Sequence, residues 1–421
     1  MDLIFAEATP PGRGGVSVIR LSGDGARSTA ESLVGSMPKP RHAYFRNLTC
    51  EDEVIDQVLA IWFAAGSSFT GEEVAELHLH GAPVIAKRVT AVLLAAGIRF
   101  AEAGEFTRRA FLNGRMDLSE IEGLGDLLSA ETEAQRKLAM RSIGGELAKK
   151  AEIWRAWLIE AGAFVEVSVD FADEEVPDDV PDQVFLLLDK LRRSIEEEIS
   201  GFAGAERIRQ GFEVAIVGPP NAGKSSLLNR IAKRDVAIVS SVAGTTRDVI
   251  ELRLDLKGLP VTILDTAGLR LSTDEVEVVG IERARSRAMG ADLRIHLSDD
   301  GRAVDDLHTS EDIVVKGKSD LYSSGEGAEV SALTGDGVDA LLSRIFDTLS
   351  NRITSAGIVS HERQLNELLR ATDALSNIDQ LPVEILAEQL RKVNHALDRL
   401  LGRIDAEDYL DKIFSSFCIG K

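Results

Sequence analysis

Residues 218–226 read GPPNAGKSS, and within them Gly218, Gly223, Lys224 and Ser225 satisfy the pattern G-x-x-x-x-G-K-[ST]. That spacing suits the phosphates of a nucleotide. Glycines let backbone N–H groups wrap phosphate oxygens at a helix N-terminus, the lysine reaches the terminal phosphates, and the serine hydroxyl can hold Mg2+. Contacts from this loop are expected at Asn221, Ala222, Gly223, Lys224, Ser225 and Ser226. Two later runs supply what such a loop needs around its metal. The first comprises Ser240, Ser241, Val242, Ala243, Gly244, Thr245 and Thr246, with Thr246 the candidate to cap Mg2+ alongside Ser225. The second is Asp265-Thr266-Ala267-Gly268, where the carboxylate would orient the metal's waters and the glycine N–H would donate to the last phosphate.

Further along, Ser331 and Ala332 fall where a base-contacting loop is expected, and Gly317-Lys318-Ser319-Asp320 falls where the base itself is read. In order and spacing these segments resemble the motifs of translation-factor-like GTPases, whose base-reading motif usually runs Asn-Lys-x-Asp. Here Gly317 stands in the asparagine's place. Asp320 can still accept from the guanine N1 and N2 donors, and Lys318 can lie along the ring. Guanine selectivity is therefore expected to survive, with a weaker dissociation constant in the micromolar range. The residue after Gly268 is Leu269, not the glutamine that positions water in Ras-like enzymes. Two residues are candidates to fill that gap. The Asn221 amide oxygen could ligate a monovalent cation that bridges the phosphates, and Glu277 lies near enough in sequence to orient the attacking water.

These side chains need rigid elements to hold them. FEVAIVG (212–218) is an apolar run expected as a buried strand, SSLLNRIA continues as a helix, and LPVTILD (259–265) is the strand that delivers Asp265. Strands and helices alternate from 210 to 352, the pattern of a parallel α/β domain. On either side, 116–209 and 353–421 carry long helical periodicity. Between them VDFADEEVPDDVPD (169–182) reads as an acidic, solvated connector. Residues 1–115 form a separate α/β unit. GGVSVIRL, VIDQVLAIWFA and VAELHLH are strand-like, DGARSTAESLVG is amphipathic, and PVIAKRVTAVLLAAGI is a helix ending at Gly97. The fold class is multidomain, α/β plus all-α: an N-terminal α/β domain (1–115), a helical domain in two parts (116–209 and 353–421), and an inserted Ras-like P-loop domain (210–352).

Composition bounds the rest. A chain of 421 residues, 44% hydrophobic and 28% charged, is ordinary for a soluble multidomain protein. No run approaches the roughly 18 to 20 apolar residues of a membrane helix, and the N-terminus lacks the features of a signal peptide. Two cysteines, Cys50 and Cys418, cannot build a disulfide framework, so a cytoplasmic setting without membrane contact is expected. The net charge of −21 argues against broad, nonspecific nucleic-acid binding, though a local patch or a partner subunit can supply contacts. His78 and His80 share a strand face, and with no carboxylate or cysteine cluster evident beside them they read as structural. The closing FSSFCIGK mimics a lipidation box poorly. Lysine is a poor final residue, Gly420 is not aliphatic, and no polybasic signal precedes it.

Taken together, GPPNAGKSSLLN, AGTTRDV, DTAGLR, DEVE..GIERA and FCIGK, with ATPPGRGGVSVIRLSG, SFTGEE and GEFTRRAFLNGRMDL near the start, resemble the MnmE (TrmE) family of tRNA-modification GTPases. That family belongs to the TrmE-Era-EngA-YihA-Septin-like class of P-loop GTPases, and the resemblance runs along essentially the whole chain. It implies a folate-binding, dimerising N-terminal domain, a helical domain, and an inserted GTPase domain. It implies a homodimer that works with the FAD protein MnmG (GidA), in a heterotetramer or larger complex, on wobble uridine U34 of certain tRNAs. An aminomethyl or carboxymethylaminomethyl group would be added at C5, its carbon coming from 5-formyl- or 5,10-methylene-tetrahydrofolate. GTP hydrolysis would be switched on when K+ brings two GTPase domains together. By position, Asn221, Ser240, Val242 and Thr245 match the K+ ligands, Ser225 and Thr246 those of Mg2+, and Glu277 the catalytic glutamate. Arg20, Glu76, Arg115 and Lys421 match the folate contacts, and position 115 is commonly lysine in the family.

The same resemblance gives the tail a role. Phe414 and Phe417, spaced i, i+3, can dock the end of the last helix, bringing Cys418 and Lys421 toward the folate site, with Cys418 a candidate catalytic thiol. The competing reading is an Era- or Der-like switch in ribosome assembly. Such a protein would carry a KH-type RNA domain with its GXXG loop and a basic face.

Overall fold

The computed structural model describes residues 2–51, 53–170, 181–234, 236–238, 251–265, 285–304, 306–321, 328–353, 356–404, 410, 413–414, 417 and 420, the side chains of 167–170 excepted. It divides into two compact units, residues 1–125 with 397–421, and residues 126–396.

The first unit is built on a six-stranded sheet. Its elements are β1 (Ile4–Glu7), β2 (Val16–Ser22), α1 (Ala26–Val34), β3 (Tyr44–Cys50), β4 (Glu53–Phe63), β5 (Val74–His80), α2 (Pro83–Ala95), β6 (Arg99–Phe100), α3 (Glu105–Leu112) and α4 (Leu118–Ser129). The strands run in the order β3-β4-β5-β2-β1-β6, antiparallel except for the β1–β6 pair. Period-two alternation sorts the two faces. Ile19, Leu21, Leu77, Leu79, Val58 and Ala60 join Ala30 and Leu33 of α1 and Val89 and Leu93 of α2 in one core. Arg20, Glu76 and His78 fall on the opposite face. The expected docking of the tail occurs within this unit. Phe414 and Phe417 pack with Leu118 and Ile121 of α4, their rings 6.0 Å apart. Gly104, at φ 67°, makes room for Phe414, since a Cβ there would come within 2.9 Å of its ring.

The second unit contains α5 (Glu133–Ile143), α6 (Glu146–Asp170), α7 (Asp182–Gln210), β7 (Phe212–Val217), α8 (Lys224–Ala232), β8 (Glu251–Leu256), β9 (Leu259–Asp265), β10 (Leu293–Ser298), β11 (Ile313–Lys316), α9 (Val338–Ser350), α10 (Glu362–Ala374) and α11 (Val383–Leu400). The connector residues 171–180 lie outside the described residues. The sheet order is β11-β10-β7-β9-β8. The expected parallel α/β pattern is present, with one reversed edge strand. β7, β9, β10 and β11 are parallel, but β8 runs antiparallel to β9. The cause is a two-residue turn, Lys257-Gly258, with φ of 53° and 92°. Positive φ at both turn positions fits the twist of a tight hairpin and sends the chain straight back.

α7 is where the chain enters this α/β portion and where it returns alongside itself. The Gly357 N–H donates to the Gly201 carbonyl (3.1 Å), and the Arg209 Nε donates to the Ser360 carbonyl (2.9 Å). Buried Glu198 accepts from the Ile358 N–H (3.0 Å) and pairs with Lys150. Gly201 is required by proximity, because a Cβ on it would stand 2.5 Å from the Gly357 nitrogen. Among the described residues no helix is long and apolar enough to cross a membrane.

Candidate functional site

The expected phosphate loop grows from β7, a buried inner strand of the second sheet. β7 presents Val214, Ala215, Ile216 and Val217 to the core, so its C-terminal end is fixed. Gly218 follows at φ 157°, pressed so close to β10 that a Cβ would lie 2.0 Å from the Leu297 carbonyl oxygen. No other residue fits there. Asn221 and Gly223 then take left-handed backbone angles, 64° and 92°, which asparagine and glycine tolerate best. Lys224 opens α8, is 8% exposed, and bends back so that its ammonium donates to the Gly218 (2.9 Å) and Pro219 (3.0 Å) carbonyls. Ser225 and Ser226 complete the first helical turn, where unpaired N–H groups and the helix dipole favour an anion. Asp265 ends β9 and is buried. Ser240 to Thr246, Thr266 to Gly268 and Glu277 lie outside the described residues.

The residues expected to read the base converge on the loop although about a hundred positions separate them from it in the chain. Ala222, Gly223 and Ser226 line a cavity of about 270 Å³ together with Gly317, Lys318, Asp320 and Ala332, and Leu297 and Leu333 supply apolar walls. A planar base against apolar walls with a few fixed polar groups is the usual economy of such a pocket. Ser331 is fully buried and its hydroxyl donates to Asp320 Oδ1 at 2.6 Å, which fixes the carboxylate that would accept from a base. Lys318 sits at φ 55° with its ammonium 2.7 Å from Asp299 Oδ2. The Gly317 N–H donates to the Ser298 carbonyl at 2.8 Å. Asp299 was not among the residues expected from sequence, and no motif would have marked it.

On the outer face of the first sheet, Arg20 of β2 and Glu76 of β5 are register partners. The Arg20 Nε donates to Glu76 Oε1 at 2.9 Å, and another guanidinium nitrogen donates to the Gly420 carbonyl at 3.3 Å. His78 Nε2 lies 3.3 Å from Glu76 Oε2. The hydrogen bond from His78, aided by the charge of Arg20, outweighs burial and holds the Glu76 carboxyl below its ordinary value. Glu76 is thus an ionised acceptor at neutral pH. Each of the two histidines has one carboxylate partner: Glu76 for His78, and Asp56, 2.7 Å away, for His80. The His78 contact to Glu76 was not expected from the sequence, although their period-two spacing on one strand could have marked it. Among the described residues no three metal-ligating side chains gather.

Arg115 has a different setting. It is exposed and lines a cavity of about 510 Å³ with Phe111, Met116, Glu120, Leu401 and Gly402, and among the described residues its guanidinium has no hydrogen-bond or ion-pair partner. Cys418 and Lys421 lie outside the described residues.

Known proteins match along the same lines. The family described as "GTP-binding protein TrmE N-terminus" matches residues 3–115, and "MnmE helical domain" matches residues 118–418. A tRNA modification GTPase MnmE from Paracoccus denitrificans is 60% identical over 421 residues, covering 100% of both chains. Proteins of the same name from Cereibacter sphaeroides and Roseobacter denitrificans are each 50% identical, over 429 and 431 residues, again covering 100% of both chains. With both domain families matched in order and relatives this similar from end to end, the chain belongs to the MnmE family of tRNA modification GTPases.

Proposed function

We propose that this GTP hydrolase of tRNA modification is K+-stimulated and acts with the FAD protein MnmG (GidA) at C5 of wobble uridine U34. It would add an aminomethyl or carboxymethylaminomethyl group built from a tetrahydrofolate one-carbon unit. Hydrolysis of GTP follows from membership of the family. The observation that carries the nucleotide reading is the single cavity joining the phosphate loop to Lys318, Asp320 and Ala332.

The donor set fits GTP with Mg2+. Lys224 brings a cation to the loop, Ser225 offers a hydroxyl at the start of α8, and Asp265 is a buried carboxylate on the neighbouring strand. Ser225 and Thr246 would hold Mg2+, which neutralises charge on the phosphates. Asn221, with Ser240, Val242 and Thr245, would hold K+, and Glu277 would orient the water. For the folate, ionised Glu76 suits the N–H donors of a pterin, and Arg20 beside it suits an anionic group. The Gly420 carbonyl on Arg20 supports a site that includes the chain's last residues, Cys418 and Lys421. Homodimerisation, tRNA binding and a cytoplasmic location belong to the same reading.

The test measures GTP turnover in KCl against NaCl, and tRNA nucleosides by mass spectrometry in a deletion strain complemented with wild type or Glu277→Ala. The expected outcome is turnover that rises with K+, and wobble modification restored by wild type alone. A flat response to K+ with modification intact in the deletion strain would sink the reading.

A further inference from the structure

The base-reading end of the pocket lacks one side chain and contains an ion pair in its vicinity. Gly317 places no amide between the phosphate loop and the base loop. An ideal Cβ there would stand 3.2 Å from the Ala222 carbonyl oxygen and 3.3 Å from Leu297 Cδ1, so Gly317 lies close against the phosphate loop yet offers it no side-chain hydrogen bond. Lys318 comes next, in a left-handed conformation (φ 55°) that a non-glycine residue adopts only when its surroundings hold it there. Its stem lines the cavity, and its ammonium ends 2.7 Å from Asp299 Oδ2.

The backbone next to Asp299 is well anchored. Asp299 follows Ser298, whose hydroxyl accepts from the Arg302 N–H (2.8 Å) and donates to the Arg302 carbonyl (2.9 Å). The Ser298 carbonyl accepts the Gly317 N–H at 2.8 Å, so one turn fixes both the backbone that carries Asp299 and the start of the base loop.

We propose that Asp299 is a positioning residue for guanine binding. By holding the Lys318 ammonium at the rim it lays the lysine stem along the face of the base, tethering that loop where Gly317 cannot. The proposal rests on the guanine-nucleotide reading above. The side chains of Lys318 and Asp299 are 36% and 50% exposed, so water screens their attraction in the free protein. A base laid over the stem excludes that water and strengthens the pair. The contribution therefore belongs to affinity and not to folding.

Calorimetric dissociation constants for GDP, IDP and ADP test this in the full chain as wild type, Asp299→Asn, Lys318→Met and the double variant, with melting temperatures alongside. Asp299→Asn should weaken GDP and IDP by the same factor, about fivefold, because ring stacking does not depend on the 2-amino group. Its melting temperature should match wild type, Asp299→Glu should restore binding, and in the Lys318→Met background the substitution should change nothing. The proposal is overturned if Asp299→Asn binds GDP as wild type does, or keeps its full effect without the lysine. A wild-type chain that takes ADP as readily as GDP overturns the guanine reading and this proposal with it. Normal guanine preference with a silent Asp299→Asn overturns this proposal alone.

Discussion

At position 317 the backbone is ordinary and only the side chain is missing. Gly317 has no positive φ, and a Cβ added to it would meet a carbonyl at 3.2 Å and the far end of a leucine at 3.3 Å. An asparagine fits once both the Leu297 side chain and the Ala222 carbonyl of the facing loop give by a few tenths of an ångström. Gly317→Asn should therefore tighten GDP binding about tenfold, the worth of one or two net hydrogen bonds; a dissociation constant equal to wild type would mean the amide finds no partner. Residue by residue, the chemistry was legible where it is written locally. Gly218 to Ser226 is one continuous motif, so sequence alone named its members. The Asp299–Lys318 contact was not legible, because it exists only through the parallel pairing of β10 with β11 across an intervening loop. The Arg20–Glu76 pair is similar: 56 residues separate two side chains that strand register sets opposite each other.

Among the elements, β10 is buried at all six positions and carries an unusual load for a central strand. His296 is fully buried, its Nδ1 accepts the Val304 N–H at 3.0 Å, and its Nε2 lies 3.2 Å from Asp312 Oδ2. Arg294 donates to the same carboxylate at 2.9 Å. Burial pushes the His296 imidazole below its ordinary 6.5. Burial opposes ionisation of Asp312, yet hydrogen bonds from Arg294, the Thr309 N–H and His296 hold it at about 2. The signs agree. Each folded group binds protons less readily than its unfolded counterpart, so its stabilisation is complete above the unfolded value and is lost as pH falls. For His296 that loss begins near 6.5, and for Asp312 below 3.8. His296→Gln, which keeps a donor for Asp312, should flatten the fall in urea stability between about pH 6.5 and 5. An unchanged slope would assign that limb to other groups.

The long helix α7 offers a second check at this scale. Gly201→Ala gains helix propensity of about 1 kcal/mol, but its methyl would meet the backbone of Gly357 at 2.5 Å. The clash should win, costing about 1–3 kcal/mol in urea unfolding. Most elements followed from periodicity in the sequence. The reversed β8 did not, because two residues, Lys257 and Gly258, decide its direction while the strand pattern is the same either way.

For the whole molecule, the texture of the chain marked where α/β patterns give way to helices, and the match to relatives along its full length runs through every one of those segments. The docking of the tail was also readable, since two phenylalanines spaced i, i+3 at a chain end need a place to bury. Which carbonyl the tail would offer to Arg20 was not, because that depends on a fold in which residues 400 apart meet.

The side-by-side crossings at α7 have one more consequence. Arg209 reaches the Ser360 carbonyl directly, so the chain leaves the helices and rejoins them a few residues' reach apart. Everything between is a loop whose two ends are already closed by hydrogen bonds. Deleting 211–356 and joining the stumps with about three to five flexible residues adds little closure entropy. The trimmed chain should still fold into helices with a cooperative melt while losing GTP binding, readable by circular dichroism and nucleotide titration. Non-cooperative melting would mean the helices need their passenger to fold. In engineering terms, the nucleotide machinery is a removable cassette, and the same gap is a ready port for grafting another domain.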